Sequence, residues 1–206
     1  NAVVEYLPND SKIDDKRHLV SFDHRTIFGN GWRANINFKQ VSDDQYFEDL
    51  GGSLSVSSIT HLNRSATFDY YSNHWSVIAL FQDYQTIDQA IMPIDEPYRR
   101  LPQVLVSGFW PNNVLGLDYS VDSELVNFDR EIGTTGWRFN ISPGIKLPIE
   151  KPGWFITPGV KVDYTQYDLK NRLPSMVTKP HRALPIASLD MGLNFERLTN
   201  GNKRIQ

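Results

Sequence analysis

The side chains in this sequence that could do chemistry are five histidines, a cluster of acids and a run of basic residues. The histidines are His18, His24, His61, His74 and His181. None has the i, i+4 spacing of a helical metal site. A Ser–His pair meeting at the end of a strand would give a hydrolase, because such pairs are defined by geometry and not by order in the chain. Serines are available, but nothing in the sequence selects one. Asp43, Asp44, Glu48 and Asp49 offer carboxylate oxygens of the kind that hold a divalent cation; the plainer reading is a solvated loop. Lys170, Arg172, Lys179 and Arg182 could meet lipid phosphates, or simply be solvated. No glycine-rich loop follows a strand and opens a helix, so nucleotide binding has no support. No catalytic residue, metal or cofactor is expected.

The elements that must position these groups are strands, and the stretch 137–169 sets the pattern. Trp137, Phe139, Ile141, Pro143, Ile145 and Leu147 alternate with Arg138, Asn140, Ser142, Gly144 and Lys146. After a turn at 148–153, Trp154, Ile156, Pro158, Val160, Val162 and Tyr164 alternate with Thr157, Gly159, Lys161, Asp163 and Thr165. Successive side chains on a strand point to opposite faces, so each strand has one apolar and one polar face. Two strands of ten or more residues form a hairpin longer than the usual soluble strand of about 5–6 residues.

Composition narrows the class. The chain has 206 residues, 40% hydrophobic, a formal charge of -3 and no cysteine. That excludes disulfides and thiolate metal sites within it and argues against a nucleic-acid footprint. No apolar run reaches the length of a membrane-spanning helix. A barrel needs apolar residues only at alternate positions, so a mean hydropathy of -0.42 is compatible with one. The first residue is Asn1, which suggests a piece cut from a longer protein.

Further strands are expected at 2–7, 17–27, 32–39, 61–71, 75–85, 101–110, 115–124 and 187–196. Residues 54–58 are a candidate extension of the fourth strand. The expected fold class is all-β: an antiparallel, up-and-down transmembrane β-barrel segment of about ten long strands, forming an open, curved sheet. The connections alternate long and short, as in outer-membrane barrels. Trp32, Trp75, Trp110 and Trp154 each sit beside a short turn, as an aromatic girdle would; Trp137, Tyr84, Tyr98 and Tyr167 lie near the long connections.

The polar faces would then line a lumen, with Asp118, Asp122, Arg138, Asn140, Lys161, Asp163, Asp190 and Asn194 as lining candidates. Leu115, Leu117, Ile141, Val160, Leu189 and Leu193 would face lipid. Counting back from the 148–153 turn sets Arg138 opposite Asp163, and Leu117→Lys is expected to cost about 2–4 kcal/mol if Leu117 sits at mid-membrane.

Several stretches resemble a known family. They are Val4-Glu5-Tyr6-Leu7-Pro8-Asn9-Asp10; Gly31-Trp32-Arg33 through Val41-Ser42-Asp43 with Tyr46-Phe47; Tyr84-Gln85-Thr86; Tyr98-Arg99-Arg100-Leu101-Pro102-Gln103; and His181-Arg182-Ala183-Leu184-Pro185, followed by Asp190-Met191-Gly192-Leu193 and Phe195-Glu196-Arg197. Together, and in this order, they are similar to the middle of the C-terminal barrel of the LptD (Imp/OstA) family of LPS-assembly outer-membrane proteins. The resemblance implies a non-enzymatic role at the outer membrane of a Gram-negative bacterium, inserting lipopolysaccharide (LPS) into the outer leaflet. It also implies LptE, a lipoprotein plug, as a partner, membrane lipid around the barrel, and a periplasmic Lpt bridge reached through an N-terminal jelly-roll domain outside this stretch. A porin or hydrophobe channel remains the alternative within transport. A rim-located lipid hydrolase and a soluble β-sandwich adhesin remain open from other classes.

Overall fold

The structure is a computed structural model that describes residues 1–52, 58–170, 177–195, 197–199 and 203–205. Its frame is a set of long antiparallel strands: β1 (Ala2–Asp10), β2 (Asp15–Gly29), β3 (Trp32–Val41), β4 (His61–Tyr71), β5 (Trp75–Thr86), β6 (Arg99–Trp110), β7 (Asp118–Asp129), β8 (Thr135–Lys146), β10 (Trp154–Lys170) and β11 (His181–Leu193). Each pairs with its sequence neighbour, in one open sheet whose edges are β1 and β11; the short β9 (Ile149–Lys151) folds back onto β10. The ten long strands are those the alternation predicts. A separate hairpin joins β12 (Arg197–Thr199) to β13 (Lys203–Ile205). The alternation puts a last turn at 198–203; residues 198–199 and 203 are strand, and 200–202 lie outside the described residues. No helix among the described residues is long and apolar enough to cross a membrane.

Several boundaries differ from expectation. The polar stretches 8–16 and 127–135, which the sequence pattern leaves as connections, shrink to 11–14 and 130–134. Amphipathic alternation is needed only at membrane depth, whereas backbone pairing continues past it among solvated residues. The strands thus outrun their own sequence signature.

At the other end of the sheet the error reverses. Residues Val114–Gly116 form a 3-10 turn, with Leu115 at φ 61 and 85% exposed, and β7 starts only at Asp118. Leu115 is therefore not a lipid-facing strand residue. Leu117 closes the turn, its carbonyl accepting from the Asn113 N–H at 2.8 Å, so it is not near the middle of a strand. The cause is local: Asn112 at φ 49 and Gly116 at φ 71 supply left-handed conformations, and Asn113 caps the turn by accepting from Val114 N–H. Apolar alternation through 115–121 hid this. The last long strand likewise ends at Leu193, leaving Phe195 outside it. The proposed strand extension at 54–57 lies outside the described residues.

The register of the 137–169 hairpin also shifts. Its tight turn is centred on Pro152–Gly153, because Ile149–Lys151 pairs with Trp154–Ile156. Arg138 consequently lies opposite Tyr167, not Asp163. The slip amounts to four residues. An even slip keeps every side chain on its own face, since the side-chain period is two.

Burial is inverted relative to a soluble domain. Arg17 is among the largest fully buried side chains, and Asp69, Gln103, Ser142 and Thr165 are buried. Phe68, Phe81, Val160, Leu189 and Met191 are exposed. Among the described residues, buried apolar side chains cluster at Leu19, Val41, Tyr46, Phe47, Leu62 and Ile87, where the helix α1 (Tyr46–Leu50) of the connection after β3 packs on the strands.

Candidate functional site

Pairing partners in antiparallel strands project to the same side, so the registers define the two faces across the whole sheet. One line of partners runs Ser76, Ser107, Asp122 and Ser142; another runs Glu124, Asn140, Thr165 and Arg182, and Asp163, two residues from Thr165, pairs with Leu184 on the same face. Asp118 pairs with Lys146, Val126 with Arg138, Gly144 with Lys161 and Thr157 with Asp190. The lumen candidates Asp118, Asp122, Arg138, Asn140, Lys161, Asp163 and Asp190 therefore share one face. Asn194 lies one residue past β11, its N–H donating to the Gly153 carbonyl at 3.0 Å. Asp118 sits at the turn end, where its carboxylate accepts from Asn112 N–H at 2.7 Å.

The opposite face carries Ile141, Val160, Leu189 and Leu193, through the pairs Ile141–Tyr164, Val160–Ile145, Pro158–Leu189 and Trp154–Leu193. It continues through Val121–Gly108, Val77–Val106, Ala79–Phe68 and Ala34–Phe68 to Phe38–Phe22. No protein layer among the described residues covers it. A contiguous apolar face of this extent needs an apolar environment.

All four tryptophans named from the sequence lie on that apolar face, at strand ends beside the short connections. Trp32 packs against Phe68 and Tyr70 with ring centroids 4.9 and 4.7 Å apart, and Trp75 meets Trp110 edge-on at 4.8 Å. Gly108 makes the second pair possible, since a Cβ there would lie 2.5 Å from the Trp110 ring and 3.1 Å from that of Trp75.

The polar face is knitted together by side chains. Asn37 donates to Asp23, Asn63 to Asn37 at 3.2 Å, and Gln82 to Asn63 at 2.9 Å, a chain across β2 to β5. Gln103 and Arg138 each donate to Glu124, both at 2.5 Å, joining β6, β7 and β8. Asn140 reaches β10, donating to Asp163 Oδ1 at 3.3 Å and Thr165 Oγ1 at 2.9 Å. Glu124, Gln103, Asn63 and Gln82 were not singled out from the sequence. Their polar positions in the alternation were visible, but which of them meet depends on register.

Within the acidic group, Asp43 and Asp49 are held by cations, whereas Asp44 and Glu48 are exposed. Arg17, with no exposed side-chain surface, binds Asp43 through two bonds of 2.7 and 3.0 Å, and Asp10 and Asp49 at 2.9 Å each. Lys12 also pairs with Asp49. Burial alone would raise the Asp43 carboxyl, but the bonds from Arg17 and Ser42 hold it below the usual range. Lys12, then Arg17, lowers Asp49. Burial, helped by the bond to Glu5, pushes the Tyr46 phenol up to about 12. No acid–histidine group suited to a metal occurs among the described residues.

Three of the histidines make side-chain contacts. His24 meets the Thr26 hydroxyl at 2.5 Å, His61 that of Thr60 at 2.8 Å, and His74 the Phe109 carbonyl at 3.0 Å. In the basic stretch, Lys179 lies 3.6 Å from Asp168 and Arg182 pairs with Thr165 in the sheet, while Arg172 lies outside the described residues. Tyr98, near a long connection as expected, donates to the Thr134 carbonyl and lies under the Arg130 guanidinium, 4.2 Å from its ring centre.

Comparison with known proteins gives the same direction. The profile of the family described as "LPS transport system D", LptD, matches residues 15–205. The chain is 43% identical to the LPS-assembly protein LptD of Nitrosococcus oceani over 93% of its own length and 26% of that protein. It is 39% identical to the LPS-assembly protein LptD of Aromatoleum aromaticum, over 95% of the chain and 25% of the relative, and 36% identical to that of Nitrosomonas eutropha, over 94% and 27%. The chain thus spans about a quarter of these relatives. A sheet of ten long strands, apolar on one face and hydrogen-bonded on the other, together with this match, makes the chain a member of the LptD family.

Proposed function

We propose that this sheet is a stretch of outer-membrane barrel wall in a protein that transports lipopolysaccharide and assembles it in the outer leaflet of a Gram-negative outer membrane. The observation that carries the reading is the pair of opposed faces: one continuous and apolar, the other a connected network of amides, carboxylates and guanidinium groups. Lipopolysaccharide carries charged sugars, and taking an unpaired charge into hydrocarbon costs many kcal/mol. A lumen wall bearing Asp122, Glu124, Arg138, Lys161 and Asp163 keeps such groups hydrated and paired on their way. Val160, Leu189 and Leu193 would meet lipid on the other side, and the four tryptophans would mark the periplasmic interface.

In this reading the LptE plug occupies the lumen against the polar face, and a periplasmic Lpt bridge delivers the lipid through a domain beyond this stretch. The role is transport, not catalysis. Depleting the full-length protein in its host, while following newly made lipopolysaccharide, tests it. Surface arrival should stop and the lipid should accumulate inside. Undisturbed arrival with a fall in solute uptake would instead make the protein a porin-like channel.

A further inference from the structure

On the polar face, near the short connections, two aromatic rings stand in the open. Phe109 is 51% exposed and Tyr71 is 36% exposed. Register places both on that face: Phe109 pairs with Ser120, and Tyr71 with Ser76, which in turn pairs with Ser107, the partner of Asp122. The rings are thus separated by a floor of small hydroxyls, with one carboxylate at its edge. All six residues line one shallow depression. An exposed Phe on a face otherwise built from polar side chains leaves apolar surface in water that a ligand would cover.

The polar atoms around the rings differ from those elsewhere on the face. Glu124, Arg138, Asn63 and Gln82 are engaged with one another. The side chains of Ser76, Ser107, Ser120 and Asp122 take part in none of these bonds or in any ion pair among the described residues, and Asp122 is exposed. They are free to donate to and accept from something else. The Arg33 guanidinium lies 4.9 Å from the Tyr71 ring centre and holds that ring in place from the side of β3.

We propose that Tyr71, Phe109 and Asp122, with Ser76, Ser107 and Ser120, form a saccharide subsite that receives the hydroxyl-rich head of the transported lipid near the periplasmic end of the lumen. The proposal rests on the transport reading above. Aromatic rings offer flat apolar surface to the C–H face of a pyranose, and short hydroxyls and a carboxylate offer the convergent polar groups that orient it. The open hydroxyls of Ser76, Ser107 and Ser120 and the Asp122 carboxylate match the many hydroxyls of a sugar, and a protein plug seated on the two rings is an outcome of the test below.

The test places a photo-crosslinking amino acid at position 109, 163 or 160 of the full-length protein in living cells, followed by blotting for lipopolysaccharide and for the plug. Position 109 should yield a lipopolysaccharide adduct at several times the level of position 160. A plug adduct alone, or none, at 109 while 163 captures lipopolysaccharide overturns the subsite but not the transport reading. Failure at both 109 and 163 counts against the transport reading itself. As a second measurement, F109A and D122N should slow surface arrival of the lipid several-fold while leaving the barrel folded; wild-type rates in both folded variants would overturn the proposal.

Discussion

Arg138 on β8 donates to Glu124 on β7 at 2.5 Å, while Asp163 on β10 is served by Asn140. Two acids flank β8 on the same face, and the guanidinium chooses the preceding strand because the register sets it opposite Val126 and Tyr167. Arg138→Ala should cost about 1.5–3 kcal/mol, the scale of a hydrogen bond to a charged group. A double-mutant cycle measured by denaturant unfolding into vesicles should give a coupling of about 0.5–3 kcal/mol for Arg138–Glu124 and none above about 0.5 for Arg138–Asp163. The reverse order of couplings would mean that the hairpin pairs four residues away from the register described.

Arg17 holds three carboxylates from β1 and the 42–60 connection. Removing one partner of a buried charge group leaves the others uncompensated, at about 3–5 kcal/mol. Arg17→Ala should therefore destabilise more than any single Asp→Asn change at 10, 43 or 49, and should speed amide exchange at 46–50. Exchange at wild-type rates would show that the apolar contacts of Tyr46 and Phe47 suffice to seat α1.

The pH dependence of this connection follows from the same contacts. Asp43 and Asp49 have folded-state values below their unfolded ones, so their contribution is present above the ordinary carboxylate range and is lost as pH falls through the lowered values. Tyr46 is shifted the other way: its contribution is present below its ordinary value and is lost as pH rises toward about 12. A spin label at Glu48 should stay immobile from about pH 5 to 9 and loosen on both sides of that range. Loosening between pH 6 and 8 would point to a histidine instead.

Val160 lies six residues along β10 from Trp154 and is 60% exposed. At about 3.3 Å per residue and a tilt of about 40°, that is roughly 15 Å in depth, near the middle of an apolar band about 25 Å tall. Val160→Arg should cost about 2–4 kcal/mol in vesicles, whereas Asp122→Arg, on the other face, should cost far less. Equal costs would remove the distinction between the faces.

Gly31 has φ +85, and a Cβ there would lie 1.9 Å from the Tyr71 carbonyl oxygen. Its own carbonyl accepts from Tyr71 N–H at 2.9 Å, so the turn cannot move aside without breaking the β3–β4 edge. Gly31→Ala should cost at least about 1–3 kcal/mol, whereas Gly153→Ala, with open space around it, should cost about 1 kcal/mol or less. Thermal unfolding of the two folded variants would separate them.

Alternation along the chain is enough to give most strands and their two faces, because a period of two is a local property that survives any even slip in pairing. Ile141, Val160 and Leu189 fall on one side, and Arg138, Lys161 and Asp190 on the other, as the alternation requires. Trp32, Trp75, Trp110 and Trp154 sit beside short connections for the same local reason. Tertiary structure alone decided which side chains meet. The four-residue slip that gives Arg138 to Glu124 depends on where the chain reverses, at Pro152–Gly153, and composition does not fix that point. The 3-10 turn that takes Leu115 out of β7 rests on left-handed residues that leave the apolar spacing intact. The burial of Arg17 among Asp10, Asp43 and Asp49 joins residues up to 39 positions apart in sequence, and only the folded connection brings them within hydrogen-bonding distance.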